Sequence, residues 1–229
     1  MSRKVYIGWD SREDIAFQVA KHSILKHADN VEVVPLKLNE LSDQGLVTRP
    51  IDPLASTQFT FTRFLVPHLN QYKGWALFVD CDFLFRSDVN KLFDLADPSK
   101  AVMVVKHEYN VEDGAAKMDG QVQHAYPRKN WSSCILFNCA HPKNIRGLDP
   151  IVSNNVTMSH LHQFWWLDDK DIGEIPHTWN WLVGHYHEPT DGRPDAIHYT
   201  LGGPWFDNYK DVEYADLWEK EKTEYHKSW

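Results

Sequence analysis

At 229 residues the chain is long enough for one large domain with a sizeable buried core, and its 42% hydrophobic and 24% charged content marks an ordered globular protein. A formal charge of -8 argues against a broad DNA or RNA surface, which needs many Lys and Arg contacts to phosphate. No apolar run approaches the roughly 20 residues that cross a bilayer, and Met1 to Asp10 lacks the apolar segment of a signal peptide, so the expected location is the cytosol.

Lys4 to Trp9 reads as a first strand, followed by Asp10 and a Ser-x-x-Asp helix start at Ser11 and Asp14. Ala16, Val19, Ala20, Ser23 and Ile24 then fall on one face at helical spacing, and Val31 to Leu36 gives a second strand. Strand, helix and strand in this order open a parallel, nucleotide-binding α/β sheet, although no Gly-x-Gly-x-x-Gly follows Gly8. Asn39 to Leu54, with Pro50 and Pro53, reads as a loop. A helix is predicted from Ser56 or Thr57 to about Asn70, with Phe61, Phe64 and Leu65 toward the core and Arg63 in an apolar surround.

The most informative stretch is Trp75 to Phe85, Trp-Ala-Leu-Phe-Val-Asp-Cys-Asp-Phe-Leu-Phe. An apolar run of this kind is a strand buried on both faces, and Asp80 and Asp82 emerge where it reaches the sheet edge. Paired carboxylates repel each other and resist desolvation unless a cation lies between them. The Asp-x-Asp therefore reads either as a divalent-metal site or as a strand-end turn. Ser87-Asp88 caps a short helix with Val89, Leu92 and Phe93 inward, and Ala101 to Val105 is a further buried strand.

Glu108 to Lys129 is polar and reads as a mobile loop leading into Asn130-Trp131-Ser132-Ser133 and a strand from Cys134 to Phe137. Thr157 to Leu167 is helical by the spacing of Met158, Leu161 and Trp165, and Ile172 to Ile175 is extended. Ala196 to Trp205 is a short strand ending in His198, then a Gly202-Gly203-Pro204 turn that lets backbone approach a ligand, then Trp205. From Asp207 the chain reads as a closing helical tail with Val212, Ala215, Trp218 and Tyr225 on one face. Cys81, Cys134 and Cys139 lie in apolar surroundings and read as reduced core residues, and most of the ten tryptophans read as core.

Taken together these segments resemble the family 8 glycosyltransferases, the group that includes glycogenin and bacterial galactosyl- and glucosyltransferases of surface polysaccharides. The residues that carry the resemblance are Lys4 to Asp10, Thr62-Arg63-Phe64, Phe78-Val79-Asp80-Cys81-Asp82, Asn130 to Ser133, and His198 to Trp205. The resemblance implies a single GT-A domain over residues 1–229, with a central mixed, mostly parallel sheet flanked by helices and 207–229 as the closing tail. It also implies an enzyme that moves a hexose from a nucleoside diphosphate sugar, with UDP as carrier, to a saccharide or other hydroxyl acceptor with retention.

In that family pattern Asp80, Asp82 and His198 hold Mn²⁺ or Mg²⁺, which grips the diphosphate. Gly8, Trp9 and Asp10 seat the base, Asp80 also lies near the ribose, and Arg63 approaches the donor sugar or diphosphate. The donor site further takes in the Asp80-Cys81-Asp82 backbone, with the Cys81 thiol turned into the core, together with Ser132, Ser133, Gly202, Gly203 and Trp205. The catalytic set is Arg63, Asp80 and Gln163.

Departures from the pattern are specific. Gly203 stands where the family has a Lys before Pro-Trp, Ser132 or Ser133 replaces the Gly of Asn-x-Gly, and His162-Gln163 stands for the family's Asp-Gln. His185, His187 or the Gly202-Gly203 amides are the candidates to replace the Lys, and Asp168 and Asp169 are the carboxylates nearest to Gln163 in the chain. Two other readings of the residues remain, a sugar-phosphate nucleotidyltransferase and a noncatalytic carbohydrate-binding protein. Neither accounts as well for the polar turn Trp9 to Arg12 and the joint occurrence of Asp80, Asp82 and His198.

Overall fold

The computed structural model describes residues 2–50, 55–108, 128 and 130–228. Its centre is a sheet of β1 (Arg3–Gly8), β2 (Val31–Leu36), β3 (Trp75–Val79), β5 (Val102–Val104), β6 (Cys134–Asn138) and β7 (Ile172–Glu174), in the order β2-β1-β3-β6-β5-β7. Only β6 runs against the other strands of this sheet, so it is mixed and mostly parallel as expected. A smaller sheet of β4 (Phe83–Phe85), β8 (Trp181–Leu182) and β9 (Ala196–His198) has the order β4-β9-β8.

The first predicted strand, helix and second strand all form. In α1 (Asp14–His27) the face of Ala16, Val19, Ala20, Ser23 and Ile24 is buried, as its spacing requires. Its start is capped one residue earlier than Ser11, because the Asp10 side chain accepts from the Arg12 amide and opens a 3-10 turn over Ser11–Glu13. The three cysteines are free and buried.

Other boundaries differ from the expectation for local reasons. Asn39 to Leu54 is not all loop: Leu38–Asp43 is a helix, α2, which buries Leu41 and pairs Lys37 with Glu40 at 3.0 Å. Residues 51–54 lie outside the described ones. The helix expected from Ser56 begins only as a 3-10 turn at Thr62–Leu65 and continues as α3 (Val66–Leu69), with Phe61, Phe64 and Leu65 in the core. The strand that runs into Asp80 and Asp82 forms as expected. β3 ends at Val79, the chain turns through Asp80-Cys81-Asp82, and β4 enters the second sheet.

The short helix α4 (Asn90–Phe93) follows, its first amide bonded to Asp88 at 2.9 Å. The loop expected at Glu108 to Lys129 lies outside the described residues except for Glu108 and Arg128. Two short helices, α5 (Pro142–Gly147) and α6 (Pro150–Ser153), then precede α7 (Met158–His162). The helix predicted to reach Leu167 stops there, because Phe164 takes a left-handed φ of 55°, and Trp165 is left 48% exposed instead of buried.

The tail forms α8 (Ala215–Lys227). Trp218 is 1% exposed and packs on Trp205 with ring centroids 5.2 Å apart, inside a second apolar cluster with Val19, Leu84, Ile197 and Tyr199. Glu221, also buried, bonds His22 Nδ1 at 2.7 Å and Lys26 Nζ at 2.9 Å, which fastens α8 to α1. No helix among the described residues is long and apolar enough to cross a membrane. Replacing Trp218 with Ala leaves a cavity under α8 and is expected to cost about 3–5 kcal/mol in chemical denaturation; a loss near zero would mean that α8 is not part of the folded core.

Candidate metal centre and donor site

Asp80, Cys81 and Asp82 form the corner between the two sheets. The Asp80 amide donates to Ser133 O at 3.0 Å, extending the β3–β6 ladder by one residue. On the other side the Tyr199 amide donates to Asp82 O at 3.0 Å, extending the β4–β9 pairing in which Phe83 faces His198. The backbone of the Asp-x-Asp is thereby pinned at both ends, and register alone brings His198 to it. Cys81 points into the main core at 1% exposure, where burial first and the surrounding carboxylates second raise its thiol pKa well above the ordinary value, so it is an inert thiol.

The donor atoms of Asp80, Asp82 and His198 all lie within 4.8 Å of one another. His198 is 2% exposed and its ring stacks on Phe83 at 4.4 Å. A polar relay sets its tautomer. Ser133 Oγ donates to Asn130 O at 2.7 Å and accepts from Asn180 Nδ2 at 2.9 Å. Asn180 Oδ1 is thus left to accept from His198 Nδ1 at 2.8 Å. With Nδ1 donating to Asn180, Nε2 is the ring nitrogen that faces Asp82 Oδ2, at 3.3 Å. A ring nitrogen and a carboxylate oxygen at that distance share a proton or a cation, and two carboxylates with one imidazole are a fitting donor set for Mn²⁺ or Mg²⁺.

Asp80 has a second partner. Arg63 Nη1 lies 2.8 Å from Asp80 Oδ1 and also donates to Ser132 O at 2.8 Å. The guanidinium, in a residue only 5% exposed, sits over the rings of Phe78 at 4.9 Å and Phe59 at 5.4 Å. Arg63 is therefore a wall that fixes Asp80, and its contacts run to Asp80 and the Ser132 backbone. Ser132 Oγ in turn bonds His162 Nδ1 at 2.7 Å. Of the pair His162-Gln163 it is His162 that meets this wall, while the Gln163 side chain turns back to Ser159 Oγ at 2.9 Å.

At the end of β1, Asp10 is fully buried and receives Arg12 Nη2 at 2.9 Å and the Gln58 amide at 3.0 Å. Burial raises its carboxyl, but these hydrogen bonds outweigh that effect and hold the pKa below the ordinary value. Trp9 donates to Asp14 at 2.8 Å, and Lys37 lies 5.5 Å from its ring centroid. Gly8 is needed for packing: a Cβ there would stand 2.3 Å from the Phe59 ring. At the other end of the site Gly202 has a φ of +133°, and a Cβ on Gly203 would fall 2.0 Å from the Trp205 ring. Lysine at 203 would collide with that ring, which gives the departure at this position a steric reason.

Two residues of this neighbourhood escaped the sequence reading. Asn180 is fully buried between Trp179 and Trp181, and an amide flanked by core tryptophans is a signal for an internal hydrogen-bond relay. Glu13, which the sequence reading passed over, is 2% exposed and accepts from Trp205 Nε1 at 3.1 Å. Burial, then the charges of Asp82 and Asp10, push its pKa up to about 8. His185 lines a cleft with Tyr186 and His177, and the His187 amide is bonded to Asp191 at 2.9 Å.

Glu13 makes a pH prediction. The unfolded carboxyl ionises near 4.5 and the folded one near 8, so folding takes up a proton between these values and stability falls as pH rises through that window. In metal-free buffer the wild type should lose stability relative to Glu13→Gln across this range, on the order of a few kcal/mol, with the difference constant outside it; parallel denaturation curves at all pH values would refute the assignment.

No protein-family model matches the chain. Its fold resembles solved glycosyltransferases: the WbbM bifunctional glycosyltransferase (TM-score 0.60, 19% identity, 99% of this chain and 51% of that one) and GlyE of Streptococcus pneumoniae TIGR4 (TM-score 0.62, 13% identity, 97% and 60%). The galactosyltransferase LgtC, solved in complex with donor and acceptor sugar analogs, matches at TM-score 0.56 and 10% identity over 96% of this chain and 95% of its own. The chain thus spans between half and three fifths of the first two structures. At these identities the likeness is one of fold, and the fold is the GT-A glycosyltransferase fold expected from the sequence. In sequence the chain is 50% identical to Protein CDI of Arabidopsis thaliana over 229 aligned positions, covering 98% of this chain and 87% of the relative. The chain belongs to the family of Protein CDI.

Proposed function

We propose that the protein is a metal-dependent glycosyltransferase of the family 8 type, which moves a hexose from a nucleoside diphosphate sugar, with UDP as carrier, to a hydroxyl of a saccharide acceptor. The observation that carries this reading is the Asp80–Asp82 corner with His198 Nε2 turned toward Asp82, in a GT-A fold. Asp82 and His198 are assigned to a Mn²⁺ or Mg²⁺ ion. Asp80, held by Arg63, divides its oxygens between the ion and the donor ribose. A divalent ion there supplies Lewis-acid neutralisation of the charge that grows on a nucleoside diphosphate leaving group.

The other roles follow from position. Gly8, Trp9 and Asp10 at the end of β1, with Ser132 and Ser133 at the start of β6, line the donor side of the same sheet edge. Gly203 is assigned the backbone amide that stands in for the family's Lys, since the Gly202 amide is engaged with Tyr199 O at 2.8 Å, and Trp205 and Glu13 hold the turn down. Arg63 acts by orienting Asp80. Gln163 is assigned no bond-making role, because its side chain is engaged with Ser159. Retention then proceeds on one face of the sugar, with the departing phosphate oxygen taking the acceptor proton. Residues 1–229 are read as one catalytic domain closed by α8, and the free cysteines fit a cytosolic location.

Thermal denaturation with nucleoside diphosphates tests the reading. UDP should raise the Tm only when Mn²⁺ or Mg²⁺ is present, and Asp82→Ala should abolish the effect. A donor panel with Mn²⁺ should then show UDP release from one hexose donor. Metal-independent stabilisation by free sugars would support a carbohydrate-binding protein instead, and pyrophosphate formed from a nucleoside triphosphate and a sugar phosphate would support a nucleotidyltransferase.

A further inference from the structure

β5 and β7 run parallel to β3, so the residues after them reach the same sheet edge as Asp80 and Asp82, with β6 between β3 and β5. At a strand spacing of about 4.8 Å this places the residues after β5 about 10 Å and those after β7 about 14 Å along the edge. There a cleft of about 440 Å³ opens, lined by Lys106, Glu108, Pro176, His177, His185 and Tyr186 among others. Its wall is built from the chain segment that orients the metal ligand: Asn180 bonds His198, and the next residue, Trp181, packs its ring on His177 at 5.9 Å and on Tyr186 at 5.5 Å. The Tyr186 ring also meets His177 at 4.7 Å and His185 at 4.6 Å, so three flat rings converge on the opening.

Behind these rings, polar atoms are buried. His107 is 7% exposed, its Nδ1 lies 2.8 Å from Tyr186 Oη, and its Nε2 has no hydrogen-bond partner among the described residues. Trp181 Nε1, in a fully buried residue, is likewise without one. Natural proteins rarely bury such atoms without a purpose, and here they flank Tyr186, whose hydroxyl and ring face the cleft residues.

We propose that this cleft is a saccharide-binding subsite, which takes a neutral, hydroxyl-bearing pyranose with its apolar face on the Tyr186, His177 and His185 rings and its hydroxyls on the Tyr186–His107 pair. Naming that saccharide the acceptor rests on the transferase reading above; the binding itself does not. The ligand class follows from the charges. Lys106 is offset by Glu108 and Glu174, so the lining offers no net positive charge for a phosphate. Burial above all holds His107 at a pKa of about 3, so its imidazole is neutral and suits hydroxyls, not anions. Rings with a polar tip are what a sugar face and its hydroxyl rim need.

The test is histidine-ring NMR of the wild-type protein titrated with methyl glycosides of glucose, galactose, xylose and arabinose, in EDTA and without nucleotide. The proposal expects saturable shifts at His177 and His185 with at least one glycoside and none at the distant His22 and His68. It expects Tyr186→Ala to weaken that binding by at least about tenfold, and Tyr186→Phe, which keeps the ring, by less. Shifts centred on His22 or His68, no saturable binding at tens of millimolar across the panel, or a folded Tyr186→Ala protein with unchanged affinity would each overturn it. Because metal and nucleotide are absent, failure of the metal-dependent Tm shift with intact glycoside binding would sink the transferase reading and leave the subsite standing.

Discussion

The constraint on which this structure turns is the change of sheet at Asp80-Cys81-Asp82. β3 belongs to the large sheet and β4 to the small one, and the corner between them is tied by the Ser133 carbonyl on one side and the Tyr199 amide on the other. Carboxylates placed on a free loop would separate to relieve their repulsion. These cannot, because their backbone is part of both ladders and Arg63 holds one of them in place. The cost of this arrangement is two carboxylates held close together beside a buried imidazole, and a bound cation offsets it.

Around the corner the protein spends polar residues on orientation. Asn130, Ser133 and Asn180 form one relay that ends on His198, and Ser132 and Arg63 form another that ends on Asp80. A third connection runs outward: Glu13, at the start of α1, holds Trp205, and Trp205 packs against Trp218 of α8. The C-terminal helix is in this way joined through two tryptophans to a carboxyl that feels Asp82. The Gly202-Gly203 turn belongs to the same unit, since the Trp205 ring occupies the space that a side chain at 203 would need.

What the sequence made legible was what depends on short-range pattern. The β1, α1, β2 opening, the buried face of α1, the β3 strand and the free core cysteines follow from apolar periodicity and from the absence of paired cysteine spacings. The Asp80, Asp82 and His198 grouping was legible only through resemblance, since register across a sheet corner leaves no local mark. Elements settled by tertiary packing were missed or misplaced. Leu38–Asp43 is held by one buried leucine inside a polar stretch, and the end of α7 depends on a left-handed backbone at Phe164, a residue that gives no warning of it. Glu13 drew no reading from the sequence, because nothing local shows that a tryptophan 192 positions later will cover it.

The likeness to solved glycosyltransferases is strong in shape and weak in sequence, so the account rests on the chemistry of the corner itself. The measurement that tests it most directly is the anomalous diffraction of crystals grown with Mn²⁺ and UDP. A metal held at the corner gives a single strong peak within bonding distance, about 2.0–2.3 Å, of an Asp82 carboxylate oxygen and of His198 Nε2, with Asp80 beside it. A peak at another site, or none between Asp82 and His198 at saturating Mn²⁺, would contradict it.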